Sequence, residues 1–261
     1  MPNLDPTDQQ LLQIVSAAPP VNITDVIQVM QSIDALLPNN DGLKWFNKLY
    51  LIVTQEIDGQ PPATAWSDPA WLTGLDVVFA GFYFAAVASF LNDDPRTPSS
   101  WDALFEARDT ANIDRIQFAL AGMNAHINHD LALALIKTNT QMNLDPSLQS
   151  PEHDDYQRVN GILADVLPKA LTFLATGILG QAAQDTGKIG QLLAIWDVGV
   201  ARDAAWDFGN YLRGLPAVAQ TVALEAQDKV TGLAGRGLLL QLRSQMTSSS
   251  TSWPSSVMTK S

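Results

Sequence analysis

The sequence predicts an all-α protein: a single-domain multi-helix bundle with a long central helix and a disordered C-terminal tail. Three observations carry that expectation. Ala, Leu, Gln and Ile are abundant; alternation of β-branched residues with period two is nearly absent; and Pro and Gly fall mostly between long segments whose apolar residues recur at helical spacing.

The elements follow in order. Helices are expected over Pro6–Ala17 and Ile23–Leu36, the second opened by Thr24-Asp25, and then over Gly42–Glu56. Ser67-Asp68-Pro69 places a capping side chain and a first-turn proline ahead of Pro69–Leu91. Within that helix the uncharged stretch Val77 to Asn92 is 16 residues. A bilayer span needs about 20, so it reads as a buried core helix and no membrane span is expected. Trp101–Arg108 is short, and Ala111–Met142 is the long central helix, broken off before Pro146. Ser150-Pro151-Glu152 combines a hydroxyl cap, proline at the first helical position and an acid against the helix dipole. It opens Pro151–Leu179, which Pro168 should kink. Gly190–Arg213 and Pro216–Met246 complete the set. The domain is placed at residues 1–243, with a Ser/Thr-rich tail over 244–261 that lacks the apolar residues to order itself. Gly59–Pro62 is the only plausible internal hinge.

Composition narrows function. The 261 residues carry 15 Lys+Arg against 27 Asp+Glu, a formal charge of −12, with a sequence pI near 4.4. A phosphate-backbone reader needs a basic face, so no nucleic-acid partner is expected. There is no cysteine, which removes disulfides, thiolate nucleophiles and iron–sulfur ligation. The start, MPNLDPTDQQ, lacks the basic and apolar regions of a secretory signal, and a cytoplasmic location is the expectation. Low charge density over many apolar helices would also suit a homo-oligomer. Gly-rich phosphate loops, dinucleotide fingerprints, G-x-S-x-G, H-E-x-x-H and paired Glu-x-x-His motifs are all missing.

Four places put polar groups on apolar helix faces. Asp76 shares a stripe with Leu72, Phe79, Tyr83, Val87 and Phe90, where a carboxylate must find a partner, become protonated or serve a site. A structural salt bridge or hydrogen bond is the plain alternative. In Gly122–Leu131, His126, His129 and Asp130 lie on one side of the helix, and the i,i+4 spacing of His126 and Asp130 lets both reach one ion. An ordinary solvated His–Asp pair is the plain alternative. Asp155 interrupts the stripe of Val159, Ile162 and Val166, while His153 reads as a solvent-facing first-turn residue. Arg202 and Trp206 stand at i,i+4, where guanidinium and indole can stack, and Arg202 would seek Asp76 or Asp155.

At GMNAHINHDLALAL, HDDYQRVN and ARDAAW the chain resembles an uncharacterised, mainly bacterial all-helical family, a domain of unknown function with GMNAHINxDL and DYxxVN blocks. The resemblance singles out Asn124, His126, Asn128, Asp130, Asp155, Tyr156 and Asn160, together with Asp76, Arg202 and Trp206. His129 falls at its variable position. It implies no activity. A weaker likeness, to the helical zinc-dependent phospholipase C and nuclease fold, rests on the H-x-x-x-D pair of His126 and Asp130 alone.

The first expectation for function is a metal-dependent hydrolase acting on a small-molecule substrate. In it His126, Asp130 and Asp155 hold zinc, manganese or iron, with Asp76, His126, Asp155 and Arg202 as catalytic groups and Asn124, Tyr156, Asn160 and Trp206 as substrate contacts. The second is a metal-free acid/base lyase or cyclase for a hydrophobic small molecule. The third is a non-catalytic binding or scaffold protein with a buried His/Asp/Arg network.

Overall fold

The computed structural model describes residues 4–59, 65–176 and 197–240, and no strand occurs among them. The helices are α1 (Pro6–Val15), α2 (Ile23–Leu36), α3 (Gly42–Gly59), α4 (Pro69–Leu91), α5 (Ser99–Ala107), α6 (Arg115–Ala125), a π-helical turn (His126–Asp130), α7 (Leu131–Met142), α8 (Pro151–Thr176), α9 (Val198–Arg213) and α10 (Ala217–Leu238). The all-α class is therefore what the periodicity implied. The anticipated hinge at Gly59–Pro62 extends into residues outside those described, as do the far ends of the helices expected over Pro151–Leu179 and Pro216–Met246, the start of Gly190–Arg213, and the tail.

Helix ends follow local chemistry. Asn22 caps α2 by accepting the Asp25 N–H, and Asp68 caps α4 through the Trp71 N–H with Pro69 in the first turn. Ser150 Oγ accepts the His153 N–H at the start of α8. The central segment differs from the expected continuous helix Ala111–Met142. Asn112 takes a left-handed conformation (φ 65°), delaying the start to Arg115, and the ladder is interrupted at His126–Asp130, where the Leu131 N–H reaches back five residues to the His126 carbonyl. Asn143 (φ 54°) then ends α7 in a left-handed cap.

α3 runs through the middle, packed against α2, α5, α6 and α8, while α4 lies on α1 and α7. α9 covers α7, α8 and the π turn, and α10 covers α5 and α6. Gly122 makes the α3–α6 approach: a Cβ there would stand 2.3 Å from Phe46. Gly232 does the same for α10, where a Cβ would meet the Ser99 carbonyl oxygen at 2.5 Å. The α4 helix, 23 residues long, has the length and apolarity to cross a bilayer; in this fold 44% of its most apolar window is buried inside the protein.

Carboxylates from distant parts of the chain finish several junctions. Asp155 accepts the N–H groups of Ser67 and Asp68 at 2.8 and 2.6 Å, so its carboxylate closes the N-terminus of α4. Asp228 does the same for Ser99 and Ser100 at α5. Asp41 and Asp8 both pair with Arg108, joining the ends of α1, α3 and α5.

Candidate functional site

A cavity of about 240 Å³ lies where α3, α4, the α6–π–α7 segment, α8 and α9 meet. Val53, Ile57, Leu72, Met123, Val159 and Leu163 make its walls apolar, and the exposed residues Asp58 and Thr73 mark where it reaches the surface. Tyr50, Asp76, His126 and Arg202 bring polar groups to this lining.

His126 is fully buried, and its position is fixed from three directions. Its Nδ1 is 2.9 Å from Asp130 Oδ2, and the same oxygen accepts the Trp101 indole N–H at 3.0 Å. Phe79 stacks on the imidazole with centroids 3.5 Å apart and planes 6° from parallel, and Tyr50 meets it edge-on at 4.6 Å. The opposite ring nitrogen, Nε2, is buried without a partner. The π turn assists the geometry: winding five residues into one hydrogen-bonded turn sets His126 and Asp130 side by side, inside an otherwise α-helical segment.

Two more orphaned atoms belong to cavity-lining residues: Tyr50 Oη and Asp76 Oδ2 are both buried and unbonded. Native interiors leave few polar atoms in that state, and each such atom costs about 1–3 kcal/mol. Burial, with Asp58 adding repulsion, pushes the Asp76 carboxyl up to about 7. Burial, and then the Arg202 charge, hold His126 well below the usual imidazole value, so the ring is neutral at pH 7. Burial drives Asp130 far above the usual carboxylate range, the Trp101 hydrogen bond opposing it.

Arg202 is 5% exposed. Its Nε donates to Asn160 Oδ1, and its guanidinium lies 4.3 Å above the Tyr156 ring. The Tyr156 hydroxyl donates to the Arg202 carbonyl. Asn160 in turn donates to Asp203 at 3.1 Å, as does Gln157 at 2.8 Å. Tyr156 and Asn160 therefore hold Arg202 in place from outside the cavity lining.

The sequence reading needs correcting in several places. Asp76 and Asp155 do not pair with Arg202: Asp76 Oδ2 is unbonded and Asp155 is consumed at the α4 N-terminus. His126 and Asp130 meet, but Asp155 does not join them. Among the described residues no three His, Asp or Glu side chains stand close enough to hold a metal ion. Arg202 stacks on Tyr156 rather than on Trp206, whose ring packs against Trp71, His153 and Tyr156. Asn124, expected as a substrate contact, faces α10 and donates to the Thr231 carbonyl, because Gly235 and Gly232 bring that helix against it. His129 also faces α10, 3.4 Å from Gln227, and not the cavity. His153 is half-buried against Trp206 rather than solvated.

Tyr50, Phe79 and Trp101 have roles that spacing alone did not assign. Aromatics at helical spacing read as core, and only the fold shows that Tyr50 carries an unpartnered hydroxyl and that Trp101 donates to Asp130.

No curated protein and no solved structure matches the chain. A family model does match, over residues 23–241, a span that contains every cavity-lining residue. The chain belongs to that family, described as the family of unknown function DUF5995.

Proposed function

We propose that the cavity is the active site of a metal-free acid/base enzyme that acts on a small hydrophobic molecule by elimination or ring closure. The observation that carries this reading is the convergence on one apolar cavity lining of Tyr50, Asp76 and His126, each of which has a buried, unbonded polar atom. Each of these groups keeps one polar atom unbonded on the same lining, which a fully satisfied structural network would not.

The roles follow from the surroundings. Neutral His126, oriented through Nδ1 by Asp130, takes a proton from the substrate at Nε2. The electron pair left behind forms the new double or ring bond. Asp76, protonated near neutral pH, gives its proton to the departing oxygen, and exchange with water after release restores both groups. Two groups whose protonation is pushed in opposite directions by one dry site is the pattern that acid/base pairs share. The metal-dependent hydrolase reading has less support, since Asp155 is occupied elsewhere and Asp130 already bonds His126.

Titration by NMR of protein labelled at aspartate and histidine tests the reading. The Asp76 carboxyl should titrate near pH 7, and the His126 ring should stay neutral through pH 6. An Asp76 carboxyl that titrates near 4 would mean a hydrated surface group and would remove the acid from the mechanism.

A further inference from the structure

We infer that the molecule bound in this cavity carries a single carboxylate, seated on Arg202 and Tyr50, with an apolar body lying along the α3, α4 and α8 walls. The inference deepens the acid/base reading and rests on its assignment of the cavity as a ligand site.

Arg202 is the strongest observation. Only its Nε is hydrogen-bonded, to Asn160, and its two Nη groups have no bonded partner among the described residues. No carboxylate among those residues lies within ion-pair distance of it; Asp203, its neighbour in sequence, is engaged by Gln157 and Asn160. Burial pulls the pKa of the guanidinium down, and Tyr156, Asp203 and Tyr50 offset that only in part. An anion entering the cavity offsets the remainder.

The surroundings select which anion. The cavity lining presents one fixed positive charge, that of Arg202, against the acids Asp76 and Asp58. A phosphate monoester brings about −1.5 to −2, more than one guanidinium neutralises, and a second negative charge would face those acids. A carboxylate brings one charge and fits the planar fork of guanidinium N–H groups. Tyr50, whose hydroxyl has no partner and which feels the Arg202 charge, supplies a further donor. His126 shares the cavity lining with Arg202 and feels its charge. Val53, Ile57, Leu72 and Leu163 leave only apolar surface for the rest of the molecule.

Binding of octanoate, octanol and octyl phosphate to the full chain, followed by calorimetry, tests this. Octanoate should bind about tenfold or more tightly than octanol, with octyl phosphate weaker than octanoate. Arg202→Met should remove that preference and leave octanol binding unchanged, while Arg202→Lys keeps part of it. Equal binding of octanoate and octanol, tighter binding of octyl phosphate, or full octanoate binding by Arg202→Met overturns the inference. Octanol binding without octanoate binding leaves the cavity as a ligand site and removes only the carboxylate; no binding of any probe removes both. Should Arg202→Met not fold, the ranking of the three probes on the unsubstituted protein decides alone.

Discussion

Asp76 shows how much one side chain discloses before and after folding. Its position on an aromatic stripe identified a misplaced charge, and the fold confirms a buried, unbonded oxygen there. Whether Arg202 would pair with it or with Asp155 was not legible, because helix periodicity orders residues around one axis and says nothing about which distant helix faces them. A raised carboxyl pKa costs nothing below the unfolded-state value of 3.8, and its cost grows until the pH passes the folded-state value near 7. The whole shift is on the order of 4 kcal/mol. Asp76→Asn should therefore match the unsubstituted protein in stability near pH 4 and exceed it increasingly up to pH 8, as urea denaturation across that range will show. His126 works in the other direction: its depressed pKa removes stability as pH falls below 6.5. His126→Gln should therefore flatten the acid side of the same curve. Asp155 is the contrasting case. It too broke an apolar stripe, yet it serves as a cap for another helix, a role that depends on a partner 87 or 88 residues away and leaves no local trace. Asp155→Ala should cost about 1–3 kcal/mol by orphaning two amides, measured by thermal melting, with octanoate affinity in the folded fraction unchanged.

At the scale of elements, the start of α4 was legible because capping is local chemistry, Asp68 and Pro69 acting within one turn, whereas α2 is capped by Asn22 and not by the Thr24-Asp25 pair expected to open it. The π turn was not legible, because it depends on tertiary neighbours. The imidazole is clamped by Phe79 and Tyr50, and Asp130 by Trp101, all from other helices. Gly122 connects this turn to the bundle. A methyl group there would meet Phe46, whose ring lies 5.7 Å from that of His126. Gly122→Ala should lower stability by about 1–3 kcal/mol through overpacking and shift the His126 ring resonances in an NMR spectrum. A variant with unaltered His126 resonances would show that the α3–α6 contact does not position the imidazole.

The whole molecule distributes its polar groups unevenly. Junctions such as Arg108 with Asp41 and Asp8, or Asp228 with the α5 amides, are paired and bonded, as buried groups ordinarily are. Unbonded buried atoms also occur away from the cavity, on Asp34, Ser100, Thr138 and Trp206, but only in the cavity lining do three such residues, Tyr50, Asp76 and His126, stand together. The fold class was readable from periodicity and composition, which act along the whole chain. The site was half readable: His126 and Asp130 lie on one turn, whereas Tyr50, Asp76 and Arg202 converge only after α3, α4 and α9 have packed. Chemical denaturation of Asp76→Leu, similar in size and apolar, tests the central claim most directly. At pH 8 the variant should be more stable than the unsubstituted protein by up to about 4 kcal/mol, because a carboxylate whose ionisation burial opposes has been removed. A loss of 2 kcal/mol or more would show that Asp76 belongs to a satisfied structural network, and would contradict the assignment of the cavity as a site held open for a substrate.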